Sequence, residues 1–123
     1  MPVSHSYRTY VLEQLASLGG VTARSMFGGL GLYHDGLFFG LVDDDTLYLT
    51  VDDTTRGDYE AAGMGAFRPS ADEGPSLSYY EVPGDVLEDA GALARWAARA
   101  VDVARRKAAG RAGRSGKRRG QSK

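Results

Sequence analysis

Cysteine is absent from this 123-residue chain. That absence excludes disulfides and thiolate metal sites, and it removes the most reactive nucleophile. Histidine is nearly absent too, with only His5 and His34. Neither lies in a local pattern that would make it the base for a serine, so nucleophilic hydrolysis is not expected. No apolar run approaches the roughly 18 residues needed to span a membrane. The N-terminal MPVSHSYRTY lacks the charged-then-apolar order of a secretory signal. These features predict a cytoplasmic protein with no membrane association. What is present is ordinary for one folded unit: 42% apolar residues, 25% charged residues and seventeen Gly against four Pro.

Charge is sharply divided along the chain. Residues 1–104 hold six Arg against sixteen Asp or Glu, leaving this part ten charges negative, whereas residues 105–123 hold nine Lys or Arg and no acid. The terminal GRAGRSGKRRGQSK has no apolar residue larger than Ala, so it cannot bury enough surface to offset the entropy of ordering. The expected division is a folded domain over residues 1–109 and a disordered basic tail over 110–123. In that tail Arg111, Arg114, Lys117, Arg118 and Arg119 are the candidates for weak, sequence-blind contact with nucleic-acid phosphates.

Apolar residues Tyr7, Val11, Leu15 and Leu18 recur at helical spacing, with Ser4 or Ser6 to cap the start. Thr22–Met26 and Leu30–His34 read as extended, a long first strand kinked at its glycines. Asp35-Gly36 marks a two-residue hairpin, so LFFGLV should pair back on GLGLY. After Asp43-Asp44-Asp45, TLYLTV alternates, with Leu47, Leu49 and Val51 on one face. A short helix is expected over 54–62 with Tyr59 and Ala62 inward, then strands at Phe67-Arg68 and at LSYYEV. A final helix begins near Asp89, with Leu93, Trp96, Ala97, Ala100, Val101 and Ala104 on one stripe. The predicted fold is α+β in two layers: helix, three strands, helix, two strands, helix, with the helices on one face of an antiparallel sheet.

Three segments carry a resemblance: Arg24-Ser25-Met26-Phe27-Gly28-Gly29; Leu47-Tyr48-Leu49 leading to Val51-Asp52; and Ser78-Tyr79-Tyr80-Glu81-Val82-Pro83 before the Trp-bearing helix. Together they resemble the N-terminal domain of the TfoX/Sxy competence-regulator family, from about Val3 to Ala109. The resemblance implies a secretion-chaperone-like fold and a bacterial role in regulating DNA-uptake genes alongside the catabolite activator protein. It implies no catalytic residues. Full-length regulators of that family continue into a C-terminal domain of helix-hairpin-helix type, where this chain has its basic tail.

The function expected from all this is a non-enzymatic regulatory or adaptor protein that binds a protein partner or a second copy of itself. Met26, Phe27, Gly28 and Gly29 are the candidate partner-binding residues, because adjacent glycines in a strand mark a bend or a close backbone approach. No cofactor is expected. No metal is expected either, since consecutive carboxylates at Asp43, Asp44 and Asp45 cannot converge on one ion. The competing expectation is a small-ligand-binding protein or enzyme with a pocket between helices and sheet.

Overall fold

The structure, a computed structural model, describes residues 3–26, 28–69 and 74–121, with side chains described as far as Arg111. The chain opens with helix α1, His5–Gln14, whose first turn is closed by the Ser4 hydroxyl accepting from the Tyr7 N–H at 3.2 Å. A separate 3-10 turn, Ala16–Leu18, finishes the apolar run that the spacing assigns to one helix. Four strands then follow in a meander: β1 Val21–Met26, β2 Gly29–His34, β3 Leu37–Asp43 and β4 Thr46–Thr50. A short helix α2, Arg56–Ala61, leads to β5, Ala66–Phe67, and β6, Ser76–Glu81. The chain ends in α3, Gly84–Glu88, and α4, Ala90–Gln121.

All strand pairs are antiparallel and form one sheet in the order β1-β2-β3-β4-β6-β5. This is the expected α+β arrangement with one more strand than the sequence reading placed. The stretch from Thr22 to His34 is a hairpin rather than one kinked strand: Met26 pairs with Gly29 and Val21 with His34. The glycine-bearing strand β2 is therefore an interior strand, and β1 forms the sheet edge. Two further hairpins turn through residues in the left-handed region, Asp35 (φ 49°) with Gly36 (φ 84°), and Asp44 with Asp45 (φ 51° each). The first is the predicted Asp-Gly turn.

Strand alternation fixes which face is covered. Leu30, Leu32, Val42, Leu47, Leu49 and Val51 point to the helical layer and are buried. Phe39 joins them through a bulge, since Leu32 pairs with Gly40 and Tyr33 with Phe38, leaving Phe39 as the extra residue. Above this face α4 contributes Leu93, Ala97, Ala100, Val101 and Ala104, and α1 contributes Val11, followed by Leu15. The small alanines let α4 lie close over β3 and β4. Trp96 sits at the margin of the core with its ring edge-on to Tyr59 at 4.8 Å. Tyr59 is buried as expected, whereas Ala62 follows the end of α2 and is exposed.

Two features of the C-terminal third differ from the sequence reading. Helix α3 was not predicted, because five residues capped by Pro83 are too short to show a 3.6-residue period. Helix α4 continues to Gln121, through residues expected to be unstructured. The segment beyond Ala104 holds four glycines, each disfavouring helix by about 1 kcal/mol relative to Ala, so propagation from the packed turns rather than local propensity accounts for the extension.

Candidate macromolecular interface

The face of the sheet turned away from the helices is built from the other half of the alternation. Strand register places Met26, Gly29, Gly31, Tyr33, Phe38, Leu41 and Tyr48 on it. The large side chains among them are half-buried and lie outside the core cluster and its flanking residues. They pack on each other: Tyr33 meets Phe38 edge-on at 5.3 Å, Phe38 meets Tyr79 at 5.9 Å, and Tyr48 meets Phe67 at 5.0 Å. The Arg24 guanidinium lies 5.4 Å from the centre of the Tyr33 ring. On this face runs a groove of about 260 Å³, lined by Met26, Phe38, Leu41, Phe67 and Pro69, with Asp43 the charged residue of the lining.

The glycines create this surface by what they leave out. A Cβ on Gly31 would lie 2.6 Å from the Met26 sulfur and 3.1 Å from Phe38 Cε1, so its absence lets Met26, Tyr33 and Phe38 close over the strand. A Cβ on Gly29 would lie 2.6 Å from the Val42 carbonyl oxygen, a backbone atom that cannot swing away. Of the four partner-binding candidates, Met26 lines the groove at the end of β1, and Gly29 opens β2 beneath it. Gly28 lies in the connecting turn with φ 80°. Phe27 lies outside the described residues. Leu41 and the aromatic residues Tyr33, Phe38 and Tyr48 are not among the sequence candidates, although their alternation with the core leucines is the signal that finds them.

A second, basic region lies where α4 passes the end of β4. Arg106 donates to the Asp52 carboxylate at 2.9 and 3.3 Å and to the Thr54 hydroxyl at 3.2 Å. Asp52 also accepts from the Thr54 hydroxyl at 2.6 Å and the Thr54 N–H at 2.9 Å. These bonds, led by the Thr54 hydroxyl and joined by Arg106, pull the Asp52 pKa down to about 2. Lys107 donates to the buried Thr50 hydroxyl at 3.0 Å and lies 5.7 Å from the Tyr79 ring centre. Arg111 lines the same cleft and is exposed. The other tail candidates, Arg114, Lys117, Arg118 and Arg119, fall on the backbone of α4, and their side chains lie outside the described residues.

The two histidines do not converge with other reactive groups. His5 is exposed at the start of α1, and His34 flanks the Asp35-Gly36 turn with Nδ1 3.6 Å from the Asp35 carboxylate. Among the described residues no three His, Asp or Glu side chains are placed to share a metal ion. None of the described helices is long and apolar enough to cross a membrane.

Comparison with known proteins adds the family. No curated protein matches the chain. Residues 13–104 match the family model of the TfoX N-terminal domain, which spans β1 to β6 and the packed part of α4. The chain belongs to the TfoX N-terminal domain family.

Proposed function

We propose that this protein is a non-catalytic regulatory or adaptor domain of the competence-related type, acting in the bacterial cytoplasm by binding a protein partner through the open face of its sheet. The observation that carries this reading is the aromatic and apolar surface from Met26 to Phe67, on the sheet face away from the core cluster and bordered at Tyr79 by Lys107 of α4. Burying such a surface against a partner would yield about 25 cal/mol for each Å² of apolar area removed from water. Aromatic side chains are the residue type that dominates interface energetics. Family membership supports the regulatory role. The basic end of α4 adds a second, weaker attachment: its charge is opposite to that of the acidic body, and neutralising several phosphates gives affinity that falls steeply with salt.

The test is affinity capture from the native cell with the full chain and with a chain lacking residues 105–123, followed by size-exclusion of the recovered complexes. The reading expects a stoichiometric protein partner in both captures, and nucleic acid only with the full chain. A protein partner that disappears with the basic segment would overturn recognition by the sheet face. A complex containing only this chain would instead make the partner a second copy of it.

A further inference from the structure

We propose that the cleft between the end of β4, β6 and the adjoining turn of α4 is a binding site for a phosphate group, held by Lys107 and Arg111, with Ser78 in its lining. It deepens the polyanion half of the reading above and does not depend on the sheet face. The cleft has a volume of about 500 Å³ and is lined by Asp52, Ser78, Tyr79, Arg106, Lys107 and Arg111. Its charges do not balance. Asp52 is the single acid of the lining, and it is taken up by Arg106 and Thr54. Neither Lys107 nor Arg111 has a carboxylate within 4.0 Å among the described residues.

Lys107 is an unusual cation to leave in this state. Its stem is half-buried and its ammonium is fixed from below by Thr50 and flanked by the Tyr79 ring. An ammonium carries three protons, and one hydrogen bond to Thr50 with one aromatic contact leaves donor capacity facing the cleft. Burial lowers the Lys107 pKa, with Arg56 and Arg111 pushing the same way and Asp52 opposing. A cation partly removed from water beside other cations is destabilised, and a bound anion offsets that cost. Arg111 lies one turn further along α4, at the i, i+4 spacing that places both side chains on the same face. Two cations so spaced suit an anion with three or four oxygens better than a carboxylate, and Arg adds forked donors that match phosphate geometry.

The phosphate source is either a nucleic-acid backbone or a small phosphorylated compound, and the site serves both by the same contacts. The experiment is a titration of the isotopically labelled full chain with inorganic phosphate, followed by backbone amide shifts, against sodium chloride at equal ionic strength. Saturable shifts are expected around Ser78 and from Lys107 to Arg111, with chloride giving none. Lys107→Gln combined with Arg111→Gln should weaken phosphate binding at least about tenfold, the loss of one or two charge-assisted hydrogen bonds. Arg111→Gln alone, at an exposed position, should weaken it about threefold without touching the fold. A mononucleotide and a short single-stranded oligonucleotide then compete with phosphate, and the better competitor identifies the source. A chain with Arg114, Lys117, Arg118 and Arg119 all changed to Gln separates this site from the basic segment beyond it. The site predicts unchanged phosphate affinity in that chain. Equal affinity in the Lys107→Gln/Arg111→Gln chain and the parent, or shifts no different from those with chloride, would overturn the site.

Discussion

At the scale of single residues, two glycines and one aspartate make quantitative statements. Gly29→Ala drives a methyl into the Val42 carbonyl, which the sheet holds in place, so we expect a loss of about 2–3 kcal/mol by denaturant unfolding. Gly31→Ala meets the Met26 side chain first, which can rotate away, and should cost about 1 kcal/mol. Equal costs would show that β2 and β3 are free to separate. Asp44 holds a left-handed conformation that costs a non-glycine residue on the order of 1 kcal/mol, while its own carbonyl accepts from Thr46. Asp44→Gly keeps that bond and should stabilise the protein by about 0.5 kcal/mol, read as a raised thermal midpoint. The glycines could be flagged from sequence as places of close approach, because glycine in a strand sacrifices packing. What approaches them could not, since Val42 and Phe38 are brought there by a register that only the folded sheet defines.

At the scale of elements, legibility followed the strength of local signals. The Asp35-Gly36 hairpin, the alternating β4 and the apolar stripe of α4 each carry a repeat that tertiary context does not need to complete. At the β1-β2 hairpin the signal is Gly28-Gly29, which fits a kink within one strand as well as a turn between two, and only the pairing of Met26 with Gly29 decides for the turn. The bulge at Phe39 is also invisible locally, because Phe38 and Phe39 look alike until one faces the open surface and the other the core. Its consequence is asymmetric: Phe39→Ala should cost about 3–5 kcal/mol, whereas Phe38→Ala should cost clearly less and perturb the open face instead. The tie between α4 and the end of β4 has a pH signature. Asp52 titrates near 2 in the folded protein against an ordinary 3.8, so its stabilisation is complete above roughly pH 4 and is lost as pH falls through about 2. Asp52→Asn should therefore flatten the stability profile between those values, as measured by thermal melts in acid, and an unchanged profile would place the acid sensitivity elsewhere.

At the scale of the whole molecule, the domain is an acidic two-layer body with one helical layer, one open aromatic face and a basic helix end. The division of charge was plain in the sequence, because it is a property of order along the chain. The open face was not, since Met26, Tyr33, Phe38, Leu41, Tyr48 and Phe67 come from five strands and meet only in the sheet. The cleft at Lys107 and Tyr79 is illegible in the sequence for the same reason, since it joins residues on α4 and β6. This arrangement separates two kinds of binding. Shape-specific contact by the sheet should vary little with salt, while contact through the basic end should weaken by orders of magnitude between low and physiological ionic strength. Retention of DNA by the full chain that is insensitive to salt would contradict that assignment.

The most direct measurement of partner recognition replaces Leu41, in the middle of the open face, by Glu and repeats the capture from the native cell. Tyr10→Ser on α1, an exposed aromatic of the helical layer, serves as the control. With both variants folded by circular dichroism, the account predicts loss of the protein partner for Leu41→Glu and its full recovery for Tyr10→Ser. Undiminished partner recovery with Leu41→Glu would contradict it.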